Sequence, residues 1–99
     1  MLLIMGTVRI DPEMLVQAEP LMRRMVEASR AEDGCEAYAY AQDVLEPGLI
    51  HVSELWRDQA ALDLHFQTPH LAEWRAAWPS FGIRDRNLRL YQLGESKPL

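Results

Sequence analysis

The stretch ELWRDQAALDLHFQTPH, Glu54 to His70, reads as a strand that runs into a broken helix. Leading into it, Ile50, Val52, Glu54 and Trp56 alternate with His51, Ser53 and Leu55, the two-residue period of a strand over Leu49–Arg57. Asp58 is placed to cap a helix that carries Ala60, Leu62 and Phe66. Thr68-Pro69 then supplies a fresh cap and a first-turn proline, so the helix restarts through Leu71, Trp74 and Trp78 until Pro79 and Gly82 end it.

Upstream, Cys35–Gln42 alternates small and aromatic residues, which puts Tyr38 and Tyr40 on one face of a strand. The turn residues Glu46-Pro47-Gly48 join it to Leu49–Arg57 as a hairpin. Asp11-Pro12-Glu13 is a helix start, with Asp11 as cap. Met14, Leu15, Ala18, Leu21, Met22, Met25 and Val26 follow at helical spacing as far as Gly34. Pro20 is expected to kink or split this helix. Leu2–Ile10 makes a first strand and Leu88–Leu93 a last one. The order β-α-β-β-α-β predicts an α+β, ferredoxin-like antiparallel sheet with helices on one face. One domain is expected over residues 1–94, with 95–99 a frayed tail. The first strand is apolar on both alternating sets, so its second face also needs covering. The simplest cover is another copy of the chain, a homodimer through the open sheet face that closes an α+β barrel.

Composition narrows the function. The 99 residues suit one domain, and the net charge of −5 without a basic face argues against nucleic acid as a partner. A single cysteine, Cys35, excludes an internal disulfide and a Cys-rich zinc site, in keeping with a cytoplasmic location. No apolar run is long enough for a membrane span, and Gly6, Thr7 and Arg9 interrupt the apolar start too early for a signal peptide.

Glu32-x-Gly34-Cys35-x-x-Tyr38, Glu54-x-Trp56 and Ala61-Leu62-x-x-His65-x-x-Thr68-Pro69-His70 together resemble the motifs of antibiotic biosynthesis monooxygenase domains, in the family's order and spacing. The likeness is nearest to the quinol monooxygenase subgroup. It implies a dimeric ferredoxin-like barrel with a pocket between sheet and helices. It also implies oxidation of an aromatic polyketide or quinol by O2 with no flavin, haem or metal. The haem-degrading relatives carry an Asn on the first strand, where this chain has Gly6 and Thr7.

Oxidation of a hydroquinone or polyphenol by O2 needs a base to remove the phenolic proton and groups to hold the anion. His65, at the border of the apolar helix face, is the candidate base, although a histidine there can also simply hydrogen-bond locally. His70, in the first turn of the next helical segment, suits a hydrogen-bonding role. Tyr38, Trp56, Phe66, Trp74 and Arg86 are candidates for holding a flat aromatic substrate, and Glu54 for a structural or orienting carboxylate. No metal site is expected, because a spacing of five separates the two histidines on one helix and no acidic or cysteine partner is in register. A non-oxygenase of the same fold, an isomerase or a metabolite-binding dimer, is the alternative.

Overall fold

The computed structural model describes all residues, Met1–Leu99. Its elements are β1 (Leu2–Arg9), a 3-10 turn (Pro12–Met14), α1 (Leu15–Arg30), β2 (Cys35–Gln42), β3 (Leu49–Trp56), α2 (Gln59–His65), α3 (Pro69–Ala76), α4 (Trp78–Phe81) and β4 (Arg84–Gln92). The strands form one antiparallel sheet in the order β2-β3-β1-β4, the ferredoxin-like topology expected. Leu2, Ile4 and Val8 of β1 pair with Trp56, Glu54 and Ile50 of β3, and Glu54 pairs onward with Tyr38 of β2. These residues share the face that the helices cover, and all are buried. Around them Met25, Leu62, Leu71 and Trp74 close one end of the core, while Ile10, Ala18 and Val52 close the other.

The opposite face carries Leu3, Met5, Ala37, Ala39, Leu55 and Tyr91, with Leu3 paired to both Leu55 and Tyr91. Met5 is 49% exposed and Tyr91 43% exposed, so this apolar face has no cover within the chain. No helix is long and apolar enough to cross a membrane.

Several local expectations change. Pro20 does not split the helix: α1 runs unbroken from Leu15 to Arg30. The proline sits on the exposed side, and the carbonyl that loses its donor belongs to Val16, itself exposed, where water can replace the bond. Asp11 does not cap through its side chain; that carboxylate instead takes a 2.7 Å bond from Arg84 and ties the start of β4 to the end of β1. Asp58 does cap α2, accepting from the Ala61 N–H at 2.9 Å. Thr68 stands at the expected boundary, but its hydroxyl donates back to the His65 carbonyl at 2.7 Å. The third helix ends at Ala76, and Trp78 opens a separate short turn. β4 begins at Arg84 rather than Leu88, because its polar first half is an exposed edge whose pairing with β1 needs no apolar alternation.

Candidate functional site

The end of β3, the turn after α1 and the break between α2 and α3 meet at one place. Gly34, with φ +85, lets the chain turn into β2; a Cβ there would lie 2.5 Å from that of Ala61. Its carbonyl accepts from the Arg57 N–H at 2.8 Å, which fastens the turn to the end of β3. The preceding residue pair places Glu32 beside α2. There Glu32 Oε2 lies 2.7 Å from His65 Nδ1 and 2.8 Å from His70 Nε2. An ionised carboxylate can accept from both rings; in a neutral His65 ring that donates through Nδ1, Nε2 is left as a free lone pair.

His65 is 1% exposed and packs against Trp56, with ring centroids 4.6 Å apart, and against Tyr38 at 5.4 Å. It forms part of the wall of a cavity of about 40 Å3 between sheet and helices. Eight of the twelve wall residues are hydrophobic, among them Tyr38, Tyr40, Phe66 and Trp78. The polar wall is Glu54, His65, Arg75 and Arg86. Burial pushes the Glu54 carboxyl above its ordinary range, opposed by the Trp56 Nε1–H bond at 3.0 Å and by the charges of His65, Arg86 and Arg75. Burial also raises the Tyr38 and Tyr40 phenols, so both stay protonated. Arg75 stacks against Phe66 and Trp78, 5.9 Å from each ring centre.

Among the residues singled out by sequence, Tyr38, Glu54, His65, Phe66 and Arg86 are brought together at the cavity. Trp56 and Trp74 are not: both are fully buried in the core, Trp56 bonded to Glu54 and Trp74 packed on Tyr40 and Phe81. His70 does not line the cavity and meets Glu32 instead. Tyr40 and Trp78, aromatic residues that the sequence also offers for a flat ligand, join the wall, whereas Glu32 and Arg75 were not expected at the site. The signal for Glu32 was present, since it opens the first motif quoted above. The reasoning against an acidic partner for the histidines is corrected here: Glu32 bridges them, because they lie on two helices and not one.

A ferredoxin-like sheet with a buried, carboxylate-held histidine in a cavity beneath its helices defines a class, and comparison gives its family. The sequence profile of the antibiotic biosynthesis monooxygenases matches residues 1–77, and the chain belongs to that family. A Synechocystis protein, sll1783, is 30% identical over 98 residues, covering 99% of this chain and 67% of its own length. The structure of PA3566 from Pseudomonas aeruginosa superposes with a TM-score of 0.78 at 30% identity, over 97% of this chain and 94% of the other. A Deinococcus radiodurans structure superposes with a TM-score of 0.90 at 25% identity, over 100% and 98%.

Proposed function

We propose that this protein is a quinol-type monooxygenase whose base is His65 Nε2. The observation that carries this reading is the Glu32–His65 bond of 2.7 Å on a ring that lines the cavity. A carboxylate behind Nδ1 fixes the tautomer and steadies the imidazolium that forms when Nε2 takes a proton. A phenolic O–H of a hydroquinone gives up that proton, and Arg75 and Arg86 stabilise the resulting anion. The anion is electron-rich enough to reduce O2. A ring C–H becomes C–OH and the hydroquinone becomes a quinone, which together supply four electrons; one oxygen atom enters the product and the other leaves as water. The substrate is therefore its own reductant, and the reaction needs no prosthetic group.

The cavity limits how a ring enters. Its 40 Å3 is well below the roughly 150 Å3 of an engineered cavity that holds benzene. Phe66, 46% exposed, and the Arg75 side chain stacked on it must swing outward to admit a substrate. The two arginines also fit a small anionic metabolite, which keeps an isomerase or binding role as the second reading.

The reading further assigns the open sheet face, with Leu3, Met5, Leu55 and Tyr91, to a second copy of the chain. Oxygen uptake on a panel of hydroquinones, with 18O2 and mass analysis of the product, tests the activity. His65→Asn is expected to lose about 10²–10⁴-fold in turnover, the span typical of a positioned base. No label from 18O2 with any hydroquinone, or a fully active His65→Asn, would overturn the proposal.

A further inference from the structure

Glu32, His65 and His70 form a second grouping that the proposed chemistry only half uses. Base catalysis needs one carboxylate and one histidine, yet two imidazoles converge on the same oxygen. The three donor atoms, Glu32 Oε2, His65 Nδ1 and His70 Nε2, all lie within 4.8 Å of one another. They come from three elements: the turn after α1, the end of α2 and the first turn of α3.

The donor set also differs from the chain's other charge pairs, of which only the more exposed His51–Asp43 contact joins a carboxylate to an imidazole, and that one holds a single histidine. Glu19, Glu46, Glu73, Asp11 and Asp33 each pair with an arginine at the surface. Glu32 pairs with histidines alone, and its side chain is 14% exposed. No fixed cation competes for it. His65 is buried and held by packing, whereas His70 is 20% exposed and gives a way in from solvent.

We propose that these three residues bind a divalent cation of the Zn2+ type. Two imidazole nitrogens and one carboxylate oxygen suit borderline ions such as Zn2+, Ni2+ and Co2+ and do not suit Mg2+ or Ca2+, which take all-oxygen sites. Donors about 2.1 Å from a tetrahedral ion sit about 3.4 Å apart. The two histidine–carboxylate distances, 2.7 and 2.8 Å, open by about 0.6 Å, and the two nitrogens close by at most about 1.4 Å. A shift of the Glu32 carboxylate away from the fixed His65 ring, together with rotation of the partly exposed His70 ring, accomplishes this. Three protein ligands leave a fourth position for water.

The ion changes what His65 presents to the cavity. Without it, Nδ1 carries the proton and Nε2 is a base. With it, Nδ1 gives its lone pair to the metal, and the single proton of the neutral ring moves to Nε2. His70 likewise moves its proton from Nε2 to Nδ1, so no net proton is released. Nε2 of His65 is then a donor and cannot accept a substrate proton. This second step rests on the base reading; the metal site does not. Occupancy therefore switches the proposed base off.

The full chain, freed of metal with a chelator, is titrated with ZnCl2 by calorimetry while 15N spectra report the histidine side chains. One ion per chain is expected, with a Kd in the micromolar range or tighter. His70→Ala and Glu32→Gln are expected to weaken it at least tenfold, while His51→Ala, whose ring bonds Asp43 away from the three donors, leaves it unchanged. MgCl2 gives no comparable heat. If His65→Ala fails to fold, the partly exposed His70 still decides the question. No stoichiometric binding, or equal binding by His70→Ala, would overturn the site. Stoichiometric binding with the His65 proton remaining on Nδ1 would overturn the switch. A chelated protein that never oxidises a hydroquinone refutes the base reading alone and leaves the calorimetric result standing.

Discussion

Replacing Trp56 with Phe separates two things that the indole does. Its rings fill a core site at 0% exposure, and its Nε1–H donates to Glu54 at 3.0 Å. The smaller ring leaves roughly 40 Å3 empty, which at about 24 cal/mol per Å3 costs about 1 kcal/mol. Removing the donor strands a carboxylate that is only 6% exposed; a lost bond to a charged group costs about 1.5–3 kcal/mol. Trp56→Phe should therefore lose about 2.5–4 kcal/mol at pH 7, a large part of the stability of a domain this size. The loss depends on pH in a fixed sense. Glu54 titrates above its unfolded value, so its contribution is fully present below the unfolded pKa and is lost as pH rises through the folded one. The Trp56 bond holds the carboxyl down, so the variant pushes it higher still. In acid, where Glu54 is protonated, only the cavity cost remains. Glu54→Gln, which keeps an acceptor but carries no charge, should be at least as stable as the parent at pH 7. Urea unfolding of the single and double variants at two pH values measures this. If Trp56→Phe costs the same in a Glu54→Leu background as in the parent, within about 0.5 kcal/mol, the reasoning about a stranded carboxylate is wrong.

The Cys35 thiol is pushed up to about 11, first by burial and then by Glu32 and Glu54. At pH 8 its alkylation should run about two orders of magnitude slower than in the urea-unfolded chain, whose thiol titrates near 8.5, and equal rates would contradict this. Gly34→Ala places a Cβ 2.5 Å from that of Ala61 at φ +85, and thermal unfolding should show a loss of about 1–3 kcal/mol. An unchanged midpoint would show that the turn relaxes freely. Light scattering should give twice 11.4 kDa for the parent chain and a monomer for Leu55→Glu, whose charge falls amid Leu3, Met5 and Tyr91. A monomeric parent at micromolar concentration would remove the dimer from the proposal.

Where period and capping acted together, the fold was legible. The alternation through Trp56 and the Asp58 cap placed β3 and α2 to within a residue, because each is fixed by its own neighbours. β4 was legible only in its apolar half, since an exposed edge strand is specified by its partner and not by its own pattern. The split expected at Pro20 does not occur, because the carbonyl that loses its donor belongs to the exposed Val16, where water can replace the bond. The site was half legible. His65 and Glu54 could be placed on the right faces from spacing. Glu32 could not be joined to them, because 33 residues separate it from His65 and no local pattern encodes that meeting. Arg75 was hidden for a different reason: an arginine late in α3 reads as a solvated surface residue, and only its stacking on Phe66 and Trp78 brings it to the cavity.

The long separation of Glu32 from both histidines also has a kinetic side. A loop of 33 or 38 residues must close before the carboxylate reaches either ring, and its entropy cost is met only when β2, β3 and the helices above them have assembled. Neither half of the grouping can persist in a partly folded chain. The Glu32–His65 contact is thus a late product of folding, absent from a chain emerging from synthesis or loosened by heat. Recovery of the Glu32–His65 pair after dilution from denaturant should therefore track the last step of folding, and it would serve as a clock for that step.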